Sequence, residues 1–327
     1  MSTDQPLPQA EPTSDRPSAV DAAGVTTFLA GRFGPDVHGI ASIGYGEWSR
    51  AFAFRHAGAA YVVRFGAHPD DFAKDRLAAR FASPDLPIPA VTEVGDAFGG
   101  YYAIAERAFG DYLDALDEEP MRATLPSLFA ALDAARRVDL SATSGYGGWD
   151  ETGTGAHPNW RAALLDVAND RPTARVHGWR ARLAACPTGC GAFDEAYGVL
   201  QDLVAFCPNE RHLIHSDLLH YNVLVADGRI TAVLDWGCSL YGDFLYDLAW
   251  LIYWAPWYPA WAGIDFRAAT KRHLAEIGLD VPHLDERLRC YQIHMGLDSQ
   301  AYNAFRGNWA GVEATARRTL AVAQRSG

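Results

Sequence analysis

The period of the apolar positions changes several times along the chain, and each change marks an element. Residues 20–33 predict a short helix that stops at the Gly34-Pro35 break. From Ile40 the pattern turns strand-like: 43–54 reads as strand, turn, strand, and 60–65 as a third strand. A helix over 71–81 and two strands at 91–94 and 101–105, joined by a Gly-rich turn, complete a small lobe. Farther on, 111–138, 160–183 and 193–206 read as mostly helical, with a Gly-rich loop over 141–157 between the first two. The longest apolar run, 248–264, is interrupted by Pro256 and Pro259. It predicts a buried helix running into an aromatic loop and not a membrane span. From Phe266 the chain reads as helices.

Between the helical blocks stands His215-Ser-Asp217-Leu-Leu-His-Tyr-Asn222, then apolar residues, an Asp227-Gly228 turn, more apolar residues and Asp235. The spacing H-x-D-x-x-x-x-N is that of a kinase catalytic loop, where the Asp receives the substrate hydroxyl and the Asn holds a magnesium ion. Asp235 takes the other metal position. A hairpin centred on Asp227-Gly228 pairs residues whose numbers sum to 455, so it predicts Asn222 opposite Val233 and Asp235 opposite His220. His215 reads as a loop brace.

The strands ahead of this segment are ordered as in a nucleotide-binding lobe. Gly44, Gly46 and Ser49 suit the approach of backbone amides to phosphates, although a Gly-containing hairpin by itself is usually only a hairpin. Arg64 stands where a kinase places its phosphate-contacting Lys; the alternatives are a strand-pairing Arg64 and Lys74 as the phosphate cation. The helix that carries Lys74 has no Glu at the usual pairing position. Residues 106–110 read as the hinge, with Glu106 and Ala108 offering backbone groups to a base edge. Asp243 is expected as a helix N-cap and Asp247 as a brace of the catalytic loop. Trp254, Trp257, Tyr258 and Trp261 form an aromatic cluster that is either core or a ligand wall.

Composition narrows the partners. The 28 basic and 40 acidic residues leave a net charge of −12, which argues against nucleic acid and suits a cationic ligand. Five sparse cysteines fit a reducing cytoplasm with no disulfide framework. The Cys186-x-x-x-Cys190 pair lacks a second ligand pair for zinc. Neither a basic n-region nor an apolar h-region opens the chain, and residues 1–17 read as a mobile tail.

The chain from about Gly44 onward resembles antibiotic kinases of the aminoglycoside phosphotransferase type, most closely those acting on hygromycin B. The likeness is carried by Gly46-Glu-Trp-Ser-Arg-Ala-Phe-Ala-Phe54, Tyr61-Val-Val-Arg64, Lys74-Asp-Arg76, Leu86-Pro-Ile-Pro89, Arg211-His-Leu-Ile-His-Ser-Asp217, Gly228-Arg-Ile-Thr-Ala-Val-Leu-Asp-Trp236, Trp254-Ala-Pro-Trp257 and Gly296-Leu-Asp298. The resemblance implies an α+β, bilobal protein-kinase-like fold with a small antiparallel-sheet N-lobe (18–106) and a mainly helical C-lobe (107–327). It implies a monomer that uses Mg²⁺ and ATP or GTP to phosphorylate a hydroxyl of an aminocyclitol. Asp217 is then the base, Asn222 and Asp235 the metal ligands, and Trp254, Trp257 and Asp298 substrate-facing. The subfamily also carries Arg at the position of Arg64. Leu218-Leu-His-Tyr221 is bulkier than the small and amide residues expected there. The rival readings are a kinase of a macrolide or another small hydroxylated metabolite, and a nucleotide- or drug-binding protein without catalysis.

Overall fold

The computed structural model describes residues 20–45 and 49–325. The expected tail, Gly46, Glu47 and Trp48 lie outside them. Helix α1 (Ala22–Phe33) starts at Asp21, whose side chain accepts from the Gly24 amide, and ends at Gly34 in a positive-φ conformation. Strands β1 (His38–Tyr45), β2 (Ser49–His56) and β3 (Ala59–Gly66) lead to α2 (Pro69–Ala78), and β4 (Val91–Ala97) and β5 (Gly100–Glu106) follow. The five strands form one antiparallel sheet in the order β1-β2-β3-β5-β4. Phe52, Phe54, Val63, Phe65, Tyr102 and Ile104 alternate onto one face and meet α1 in a core of their own.

Past the hinge, β6 (Asp111–Tyr112) crosses against the catalytic hairpin before α3 (Glu118–Arg136) begins. Gly110 is required there. Its φ is +152°, and a Cβ would stand 2.7 Å from the Val225 carbonyl oxygen. The predicted Gly-rich loop contains two strands, β7 (Tyr146–Trp149) and β8 (Gly155–His157). Their approach is close enough that a Cβ on Gly145 would meet the Gly155 carbonyl oxygen at 2.2 Å, so the glycines that read as loop are what lets the strands pair. The helix predicted over 160–183 is two, α4 (Trp160–Leu165) and α5 (Trp179–Ala185), separated by a stretch with Pro172 and a left-handed Gly178.

Helix α6 (Gly191–Leu203) precedes β9 (His212–Ile214), the hairpin β10 (Val223–Ala226) and β11 (Arg229–Val233), and β12 (Leu240–Gly242). Helices α7 (Leu245–Trp254), α8 (Phe266–Glu276), α9 (Leu284–Arg306) and α10 (Trp309–Ala323) complete the chain. All ten residues of α7 are buried, and two short 3₁₀ turns carry the aromatic run beyond it. A second, larger core joins these elements and reaches back to Ala78, Leu86 and Ile88. Among the described residues no helix is long and apolar enough to cross a membrane. All five cysteines are free thiols.

The hairpin register departs from expectation. Val225 pairs with Ile230 and Ala226 with Arg229, but a bulge between Leu224 and Val225 shifts the rest, so Val223 opposes Val233. Asn222 instead accepts the Leu234 amide through its carbonyl at 2.7 Å, and the expected pairings Asn222–Val233 and Asp235–His220 do not form.

Candidate active site

The catalytic loop is held from outside itself. Asp247, buried at the start of α7, accepts the amides of His215 and Ser216, each at 2.8 Å. Burial pushes its carboxyl above the usual range, and those amides pull the other way. His215 donates through Nε2 to the Leu234 carbonyl at 2.7 Å and accepts the Asp217 amide at Nδ1 (3.2 Å), which fixes one neutral tautomer. Both bracing expectations hold. Asp243 is structural, as expected: its Oδ1 accepts the amide of Leu245 at the start of α7 at 3.2 Å, and the same carboxylate forms a buried pair with Arg287.

A third brace has no signature in the sequence. Asp114, just after β6, accepts the His220 amide at 2.8 Å and the Tyr221 amide at 3.0 Å, and its Oδ1 also receives the Tyr258 hydroxyl at 2.7 Å. His220 and Tyr221 are both left-handed, with φ of +67° and +68°. Two adjacent residues in that region persist only when something outside holds them. Leu218 and Leu219 are buried in the larger core, whereas His220 and Tyr221 face outward.

Asp217 therefore presents a constrained carboxylate. Asn222 Nδ2 donates to its Oδ2 at 3.0 Å and to its carbonyl at 2.8 Å, and His220 Nδ1 lies 2.6 Å from its Oδ1. With the Asn222 amide nitrogen spent on Asp217, its amide oxygen is the atom left for a cation. Asp235, at φ +57°, is exposed in the same cleft. Among the described residues no group of three or more His, Cys, Asp or Glu could hold a metal ion. An Asn oxygen with one carboxylate does fit Mg²⁺, which takes one or two protein oxygens and completes its shell with phosphates and water.

Asp298 on α9 faces Asp217. Its surface is open to solvent, but the protein packed around it strips part of the hydration of its carboxylate, and that loss, with the Asp217 charge second, holds its carboxyl up at about 6. Cys238, exposed at its surface, lies among the same groups: lost hydration first, then the charges of Asp217, Asp235 and Asp298, push its thiol up, so it stays protonated. The expected aromatic wall is deeper than a ligand wall needs. Trp254 is 5% exposed and lies beneath His220, and half-buried Trp257 packs on it with ring centroids 4.9 Å apart.

On the nucleotide side, Gly44 lies near the end of β1 and Ser49 opens β2, and a Cβ at Gly44 would meet open space. Arg64 forms an ion pair with Asp75 of α2 and lies over the Phe72 ring. The lobe-ordering pair that looked absent for want of a Glu is thus made with Asp75. Arg is longer than Lys and Asp shorter than Glu, so the span is kept. Lys74 is committed elsewhere, to the carbonyls of Gly237 (2.5 Å) and Ser239 (3.3 Å), and burial lowers its ammonium to about 8. At the hinge the amides of Glu106 and Arg107 are taken by the carbonyls of Ala90 and Ala60. The Ala108 amide has no acceptor among the described residues.

A carboxylate braced in a kinase-type loop, a paired cation on β3 and a hinge amide without an acceptor among the described residues fit a phosphotransferase. Residues 40–283 match the model of the phosphotransferase enzyme family. A relative described as hygromycin-B 4-O-kinase, from Escherichia coli, is 35% identical over 292 residues, covering 88% of this chain and 81% of its own. The crystal structure of aminoglycoside phosphotransferase APH(4)-Ia superposes with a TM-score of 0.82 at 34% identity, over 94% of this chain and all of that one. A thermostable mutant of the same enzyme, in ternary complex with AMP-PNP and hygromycin B, gives 0.81 at 32% identity over 92% and 98%. The chain belongs to the phosphotransferase enzyme family, has its bilobal kinase-like α+β fold, and is a small-molecule kinase.

Proposed function

We propose that the chain transfers the γ-phosphoryl group of ATP or GTP to a hydroxyl of an aminocyclitol antibiotic of the hygromycin B type, and so confers resistance. The observation that carries this reading is the gathering of Asp217, Asp235 and Asp298 around one cleft. Three neighbouring carboxylates favour a polycationic acceptor over a neutral or anionic one. The relatives described as acting on or binding hygromycin B support the same acceptor.

The acceptor oxygen attacks the γ-phosphorus in line as the bond to the β,γ-bridging oxygen breaks, and the hydroxyl proton passes to Asp217. Asn222 and Asp235 would hold Mg²⁺, whose charge would neutralise that of the phosphates. Such a transfer needs alignment and charge balance more than a strong base, and the clamp on Asp217 supplies alignment. Arg64, ordered by Asp75, meets the phosphates; Gly44, Gly46 and Ser49 cover them; and the backbone at Glu106 and Ala108 meets the base. The lobes divide at 106/107, and the protein acts as a cytoplasmic monomer.

Incubation with hygromycin B and a panel of aminoglycosides, Mg²⁺ and each nucleotide, followed by mass spectrometry, will show a gain of one phosphoryl group on one of these compounds. Phosphorylation of a macrolide or simple sugar alone overturns the acceptor assignment. Tight binding without product supports the non-catalytic alternative.

Asp298 adds a pH signature. Its folded pKa is raised, so it gains a proton, and loses its charge, as pH falls through about 6. The KM for a cationic acceptor therefore rises as pH is lowered from 7 to 5, while the nucleotide KM changes less. Asp298→Asn raises the acceptor KM about tenfold at pH 7.5 and flattens this dependence, the size of one charge-assisted contact. A wild-type acceptor KM that is level across pH 5–7 removes Asp298 from recognition.

A further inference from the structure

We propose that His220 is a positioning residue for phosphoryl transfer, fixing the Asp217 carboxylate through Nδ1. The proposal rests on the phosphotransferase reading and deepens it.

A carboxylate held by one partner still turns about its last torsion, whose well is broad. Asn222 supplies that one partner, on Oδ2. His220 supplies the second, on Oδ1 at 2.6 Å. One donor on each oxygen sets the carboxylate plane. The remaining lone pairs stay open to the acceptor hydroxyl, and Asp217 remains about a quarter exposed.

The clamp is useful only if His220 is itself immobile, and three features make it so. Its backbone amide ends on Asp114, and so does that of Tyr221, which locks both in the left-handed region. Its ring meets Trp250 and Trp254 edge-on, with centroids 6.2 and 5.6 Å away and interplanar angles of 89° and 76°. Both indoles are more than nine-tenths buried and belong to the larger core. The ring thus stands on a fixed floor with 48% of its side chain facing the cleft. An imidazole so held, with half of it open to the cleft, keeps Nδ1 against the Asp217 carboxylate, and alignment matters because a small misplacement of a reacting group costs about 10²-fold in rate.

The test compares three proteins. His220→Gly suits the left-handed backbone but removes the donor. His220→Asn also tolerates that backbone and puts an amide N–H where Nδ1–H was. The expected result is a fall in kcat of about 10–100-fold for the Gly variant with nucleotide KM within about threefold, and recovery by Asn to within about threefold of wild type. A fully active Gly variant, or an Asn variant as impaired as Gly, overturns the proposal. A second readout does not depend on turnover. Imidazole ¹⁵N shifts of the resting protein will show His220 as the Nδ1–H tautomer, displaced in Asp217→Asn; an Nε2–H tautomer overturns the proposal. Wild-type protein that phosphorylates nothing in the acceptor panel defeats the functional reading instead, and the tautomer is still legible in it.

Discussion

Asp217→Asn lowers kcat by about 10²–10⁴-fold, the range for loss of a positioned proton acceptor. The loop should survive the change, since its shape is imposed by Asp247, Asp114 and the His215–Leu234 bond, none of which ends on the Asp217 side chain. The amide oxygen of Asn can still accept from one of the two flanking donors. What is lost is the carboxylate charge and the second acceptor. Steady-state ADP or GDP release with acceptor, Mg²⁺ and saturating nucleotide measures the effect, with far-UV circular dichroism as the check on folding. Turnover within threefold of wild type would mean that Asp217 is not the base.

Asp243→Ala has the largest effect on stability. The carboxylate is fully buried and accepts two bonds from Arg287, at 2.8 and 2.7 Å, as well as the Tyr291 hydroxyl. Removing it strands a guanidinium whose side chain is only 6% exposed. Breaking a buried pair from one side costs about 3–5 kcal/mol. At roughly 2 °C per kcal/mol for a chain of this size, several degrees of Tm are lost. The double change Asp243→Leu with Arg287→Met restores part of the loss, because no charge is then left alone. A single variant that melts within 1 °C of wild type, by calorimetry at one fixed pH, would show the pair to be dispensable.

Much of the site was legible in the chain because its parts lie close together in sequence. His215, Asp217, Asn222 and Asp235 fall within one loop and one hairpin, so local spacing reports them. Asp114 lies 106 residues before the amide it holds, in a stretch with several other carboxylates, and no local pattern marks it. Asp75 was in plain view beside Lys74, but the expectation of a Glu hid it. The bulge at Leu224–Val225 escaped because every residue of β10 is small or apolar, so alternation could not reveal the slipped register. The five-strand sheet was readable since one buried face imposes a period of two. The breaks in 141–157 and 160–183 depend on positive-φ glycines, a backbone setting that composition alone does not report. Trp254 shows the limit of composition: aromatic content marks a cluster, and only packing tells whether it forms the ligand wall or the floor under it.

The links from α2 to the larger lobe have a consequence for hybrid enzymes. Asp75 Oδ1 accepts the backbone amide of Trp236 at 2.7 Å, and Lys74 donates to the backbone carbonyls of Gly237 and Ser239. Each link ends on main chain, which every sequence supplies alike. A chimera joined at the hinge keeps these ties whichever relative donates its second half, and what it must match are side-chain contacts: the pairing of Arg175 with Asp70 and Asp71, the Lys74 ammonium over the Trp149 ring, and the seating of Ala78, Leu86 and Ile88 in the larger core. Halves exchanged between relatives therefore keep their main-chain ties, with an ion cluster and an apolar contact to rebuild at the seam.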